Sequence, residues 1–233
     1  MNENLDKNIT PENTDGNKSS PDKDEKTPQK LAKSLFEWLE TFAFAFAFVL
    51  VVFTFAFKIV TVNGESMNYT LAHNEKLIIS NLFYEPQTGD IVIVSRERFG
   101  QEPIVKRVIA TEGQRVDIDF GKKEVRVDGV LLDEPYTVYQ ERDITGTLIE
   151  SDKMNKGLCP ASFTVGKDCI FVMGDNRNNS TDSRVQGTFD KVDGEMIYTG
   201  FMEEDVIGKV MIRVLPLNKF GEIKPATDIP VVK

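Results

Sequence analysis

Ser66 lies in VNGESMNYTLAHNEK and Lys106 in EPIVKRVIA, while FVMGDNRNNSTDSR gathers Gly174, Asp175, Asn176, Arg177, Ser180, Asp182, Ser183 and Arg184. A serine hydroxyl becomes a nucleophile only when a base takes its proton. The one histidine, His73, would supply a Ser-His-Asp arrangement only by folding back onto Ser66 from the same polar stretch; a solvated loop histidine is the plainer reading. A lysine can act instead, provided it is neutral. Free lysine titrates near ~10.4, so its surroundings must disfavour the cation by desolvation. Strand alternation sets Lys106 on one face with Ile104, Val108 and Ala110, a face that is otherwise apolar. Each piece alone has an ordinary meaning: a turn serine, a strand lysine reaching water along its stem, a solvated Asp-Arg turn. Together they have the groups for serine hydrolysis with a lysine base.

Other chemistries find less support. Cys159 and Cys169 form neither a CxxC pair nor a zinc-ligand spacing, and His73 does not complete a metal cluster with them, so no metal or cofactor is expected. Outside the cytoplasm the two thiols could pair, a point the sequence leaves open. The net charge is −9 with acidic residues spread along the chain, which offers no basic face to a phosphate backbone and argues against nucleic acid as a partner.

The elements that must position these residues begin with a polar tail, residues 1–33, too poor in large apolar side chains to offset the entropy of ordering. An anchor follows at 34–60: from Phe42 to Phe57 it has no charge and a single hydroxyl, Thr54. With its flanks it reaches the ~20 residues a helix needs to cross hydrocarbon. The Phe-Ala alternation has a strand's period of two, but a buried strand this long without a turn is a poor alternative. AFAFA would fit a cleaved signal peptide, yet the region before it is long and as acidic as it is basic, so the helix is read as uncleaved. Lys26, Lys30 and Lys33 precede the span and Lys58 alone follows closely, which predicts a cytoplasmic N-terminus and an extracytoplasmic domain. Residues 61–233 read as that domain, mainly β, in short Val/Ile-rich runs separated by turns, with a hairpin at Asp128-Gly129 and a smaller excursion at about 120–170.

GESMNYTL, GDIVIV, PIVKRVIATEGQRVDI and GDNRNNSTDSR, in that order behind an N-terminal anchor, resemble the successive sequence boxes of bacterial type I signal peptidase. The resemblance implies a membrane-bound serine endopeptidase with an all-β catalytic domain. Its substrates would be preprotein signal peptides with small residues before the cut, met at the membrane lipid beside the export machinery. It further implies Ser66 as nucleophile, Lys106 as general base, Ser180 hydrogen-bonded to that lysine, Asp182 and Arg184 as a bracing ion pair, and Met67 on the floor beside the nucleophile, with Gly174 and Asp175 in support. The chain departs from the family at Tyr69, where proline is usual, and at Glu112, Gly113 and Gln114, where a Pro-Gly-Asp turn is common. Gly64 stands where one branch has a serine that helps hold the oxyanion. Two rivals remain: an inactive homologue that binds or scaffolds export components, against which the presence of both Ser66 and Lys106 counts, and a Ser-Lys self-cleaving repressor, which would need a DNA reader and no anchor.

Overall fold

The computed structural model describes residues 28–142, 148–150 and 159–223, so most of the expected tail lies outside the described residues. The chain divides into two compact units, one through Val49 and one from Leu50 onward. Helix α1 runs Pro28–Ala56, opening on a proline whose missing N–H costs nothing in a first helical turn. Its stretch Ala32–Ala56 has a mean hydropathy of 2.2, long and apolar enough to cross a membrane. Large side chains from Leu35 to Phe55 are exposed along it, which water penalises and lipid does not.

The helix departs from the expected anchor at both ends: it takes in residues 28–33, expected as tail, and stops at Ala56, short of the expected residue 60. Strand β1, Phe57–Thr61, takes the last residues and pairs antiparallel with β2, Lys76–Ser80, from Phe57 opposite Ser80 to Thr61 opposite Lys76. FKIVT is aromatic and β-branched, and once a ladder partner exists a strand satisfies its backbone as fully as another helical turn would.

The remaining strands follow in chain order: β3 (Ile91–Arg96), β4 (Gln101–Thr111), β5 (Arg115–Asp119), β6 (Glu124–Val127) and β7 (Val130–Leu131). After these come β8 (Gln140–Arg142), β9 (Leu148–Glu150), β10 (Ser162–Val165) and β11 (Ile170–Met173). A single short helical turn, α2 (Ser183–Gln186), precedes β12 (Phe189–Val192), β13 (Glu195–Tyr198), β14 (Val206–Leu215) and β15 (Gly221–Glu222). Among the described residues one sheet has the order β1-β2-β14-β3-β4-β11, with β15 beside β14, and a second has β12-β13-β10-β5-β6-β7. The domain is mainly β, as its texture requires.

The smaller excursion expected at about 120–170 is thus in large part the second sheet, whose strands also come from residues 189–198; β8 and β9 form a separate hairpin. Residues 143–147 and 151–158 lie outside the described residues. β6 and β7 turn on Asp128 and Gly129 at φ 52° and 82°, the left-handed pair that a tight hairpin demands. Ile109, Ala110, Phe171 and Met173 of the first sheet pack with Val116, Val125, Phe163 and Tyr198 of the second in one core. A separate core holds the first sheet to the segment between β1 and β2: Val62, Met67 and Leu71 pack on Leu77, Ile79, Ile91 and Ile93. That core fixes Ser66.

Candidate active site

Ser66 lies in the turn-rich segment between β1 and β2, one residue before a methionine that is 1 % exposed. Met67 is driven into the core, so its neighbour is held at the surface of that core, half-buried. The segment is closed on itself by Asn68 N–H to Glu65 O (3.1 Å) and Leu71 N–H to Met67 O (2.8 Å). Lys106 comes from the middle of β4 and is 2 % exposed. Its Nζ lies 2.7 Å from Ser66 Oγ and 2.7 Å from the Val105 carbonyl. Burial lowers its pKa to about 8; the charge of Asp182 opposes the shift and that of Arg96 assists it. Ser66 and Lys106 open into a cavity of about 630 Å³ lined also by Gly64, His73, Arg96, Ile104, Asn179 and Thr181.

The strand end and turn after β11 form the opposite wall. Asn176 N–H donates to the Ser66 carbonyl (2.9 Å), fixing the peptide that carries the nucleophile. Gly174 is required by close approach: a Cβ there would collide with Ser180 Oγ and the Ser66 carbonyl. Asp182 accepts from Gly174 N–H at 3.0 Å and from Arg184 Nε and Nη2 at 2.9 and 2.8 Å, the expected ion pair. Burial raises the Asp182 pKa, but the charge and hydrogen bonds of Arg184 prevail and hold it at about 2. Arg184 also donates to the Arg177 carbonyl (2.9 Å), and Arg177 pairs with Glu134, so the turn is anchored in protein on both sides.

Two expected roles differ. Ser180 is buried but is not a hydrogen-bond partner of Lys106, whose amine is taken by Ser66 and Val105 instead. Met67 is a core residue and does not line the cavity. Both thiols are free and buried, and burial pushes Cys159 up to about 12, so the pairing left open by sequence is not made.

Four residues that pattern reading passed over complete the brace. Arg107 donates to both Asp175 oxygens from Nε and Nη2 (2.9 and 2.7 Å), stacks on Tyr136 and reaches the Gly89 carbonyl. Thr70 donates its hydroxyl to the same Asp175 (2.5 Å), and its carbonyl accepts from Arg213 Nη2 (2.6 Å). Glu75 in turn holds Arg213 Nε at 3.0 Å. Arg107 carried a signal, a second cation beside Lys106 that alternation sends to the other face; Thr70, Glu75 and Arg213 carried none, since their partners lie far along the chain.

A family model described as "Signal peptidase, peptidase S26" matches residues 35–215. Signal peptidase IB of Staphylococcus aureus strain Mu50 is 31% identical over 198 residues, covering 82% of this chain and 94% of that protein. A probable signal peptidase I-1 of Synechocystis sp. is 30% identical over 72% of this chain and 76% of that protein. A solved signal peptidase I from Enterococcus faecalis V583 has a TM-score of 0.35 at 24% identity, covering 54% of this chain and 97% of that one, too loose a superposition to bear on the site.

Proposed function

The chain belongs to the signal peptidase family, peptidase S26, and within it we propose a membrane-anchored serine endopeptidase that removes signal peptides from exported preproteins with Ser66 and Lys106 as its dyad. The observation that carries this is a lysine amine 2.7 Å from a serine hydroxyl, in a site that leaves the lysine 2 % exposed. Neutral Lys106 takes the Ser66 proton as the oxygen attacks the scissile carbonyl. The ammonium so formed hands its proton to the leaving amine, and water, activated by the same lysine, hydrolyses the ester. No described residue accepts the Ser66 N–H, which is therefore available to the developing oxyanion.

An extended substrate has a place to pair. Along Gln101–Lys106, β4 is bonded to β3 on one edge, and β11 joins the other edge only from Arg107 onward. Residues before the cut would add a strand there, running from Lys106 past Ile104, with side-chain pockets setting the preference for small residues. The domain is extracytoplasmic and the N-terminus cytoplasmic in this reading, from the lysines before the span. A site in the chain that follows the anchor would meet preproteins at the lipid surface, beside the export machinery.

Cleavage of a preprotein by the wild type, Ser66→Ala and Lys106→Ala enzymes in membranes tests the reading. Wild-type cleavage with both variants silent is expected. Equal cleavage by all three overturns the dyad, and a wild type that binds the preprotein without cutting it favours the scaffolding homologue.

A further inference from the structure

The mechanism above has no use for His73, although it is the one histidine in the chain and lines the same cavity as Ser66 and Lys106. Its ring has a specific partner: Gly64 N–H donates to His73 Nδ1 at 3.1 Å. An imidazole nitrogen that accepts a hydrogen bond carries no proton, so the neutral ring bears its hydrogen on Nε2. The bond bridges two arms already tied at their base, where Val62 N–H donates to Glu75 O and Asn74 N–H to Val62 O, both at 2.9 Å.

Gly64 sits at φ 95°, and a Cβ built there would meet nothing within 4 Å. The space on the side-chain side of this glycine is open, and a glycine samples both signs of φ readily. The His73 bond is the only hydrogen bond to the Gly64 N–H among the described residues. Two residues later the chain must present Ser66 Oγ to an amine 2.7 Å away and aim the Ser66 N–H at the oxyanion. A loose hinge this close to the nucleophile would spread both directions.

We propose that His73 is a positioning residue: by accepting the Gly64 N–H it locks the glycine hinge ahead of Ser66 and sets the aim of the nucleophile and its backbone N–H. The inference rests on the Ser66 reading for its catalytic consequence and on geometry alone for the lock. The test uses the full chain in detergent micelles with His73→Asn, His73→Gln and His73→Ala. Asparagine places its side-chain oxygen where Nδ1 stands and can accept the same N–H, whereas glutamine mimics the Nε2 position.

For a signal-peptide substrate, His73→Asn is expected to retain near wild-type kcat, while His73→Ala and His73→Gln lose roughly tenfold or more in kcat with KM little changed. Amide exchange at Gly64 is expected to be slow in the wild type and His73→Asn and faster in the other two. Equal kcat in all four enzymes overturns the proposal, as does a glutamine variant that outperforms asparagine, which would assign the Nε2 edge instead. A wild type that does not cleave refutes the serine peptidase reading, and the exchange pattern then decides the lock by itself: no difference among the four proteins overturns it.

Discussion

Lys106 and Arg107 are consecutive on β4 and almost equally buried, at 2 % and 1 % exposed, yet their surroundings treat the charge in opposite ways. Alternation turns them to different faces. On its face Arg107 meets a carboxylate in two-toothed contact, an aromatic ring and a carbonyl; burial lowers its pKa, but Asp175 more than restores it and the guanidinium is held above its ordinary value. On the other face Lys106 has a hydroxyl and a carbonyl, and no ion pair among the described residues, so desolvation wins and the amine drops to about 8. One strand thus supplies both a structural cation and, in the proposed mechanism, a base. What separates them is the partner and not the depth.

The most severe way to break the contrast is to force a permanent charge onto the lysine's face. Lys106→Arg keeps a donor near Ser66 but cannot shed its proton, since guanidinium titrates above ~12. Cleavage is expected to fall by at least about 10⁴-fold, as for loss of a dyad member. Measurable turnover close to wild type would show that the base need not be neutral.

Removing the partner on the other face comes next. Asp175→Ala leaves Arg107 buried without its carboxylate, and breaking such a pair typically costs about 3–5 kcal/mol. Urea unfolding of the full chain in micelles should show a loss in that range. Activity should fall too, because Thr70 loses its acceptor and the Ser66 segment one of its ties. An unchanged midpoint would mean that Arg107 is satisfied by Gly89 and Tyr136 alone.

The opposite outcome is expected on the lysine's face. Its folded pKa lies below the unfolded value, so the unfolded chain binds the proton more readily, and stability falls as pH drops from 10.5 toward about 8 and stays low beneath it. The depression corresponds to at most ~3 kcal/mol. Lys106→Met, similar in volume and uncharged, should therefore be inactive yet more stable than wild type below about pH 8, by ~1–3 kcal/mol once the orphaned Val105 carbonyl is counted. The gain should shrink in alkaline solution, where the wild-type lysine is neutral in both states. A loss of stability at neutral pH would mean that the two hydrogen bonds of Lys106 outweigh its desolvation.

Sequence pattern carried this contrast part of the way. The alternating run PIVKRVIA puts two cations on opposite faces of a strand, and the boxes around Ser66, Lys106 and GDNRNNSTDSR mark the segments that the fold does bring together. Local chemistry also made the Asp128-Gly129 hairpin legible, being settled within two residues, whereas the Asp182–Arg184 pair was implied by the family resemblance and not by the residues alone. Long-range pairing was not: nothing near Asp175 tells that Arg107 and Thr70 converge on it, and nothing near Thr70 points to Arg213. The helix end at Ala56 was hidden for the same reason, since FKIVT becomes a strand only because KLIIS lies beside it. The second sheet, read as an excursion, draws its strands from both sides of α2, a topology that periodicity cannot supply.

The smallest effect would sharpen the account of why the lysine is neutral. Burial is its main cause, and Arg96, half-buried on β3 and lining the same cavity, adds a cation that disfavours a second one. The neutral fraction of Lys106 rises with pH, so kcat/KM should climb along an acid limb with a midpoint near 8. Arg96→Gln removes the repulsion and lets the amine hold its proton longer, moving that limb to higher pH by less than about one unit, while Arg96→Lys leaves it nearly in place. Because Arg96 is partly in water, raising the salt concentration should move the wild-type limb the same way and the glutamine variant's hardly at all. A limb that stays in place or moves downward in Arg96→Gln would show that Arg96 does not help hold the lysine neutral, and leave that to desolvation and the weaker repulsion of Arg184 against the opposing charges of Asp182 and Asp175.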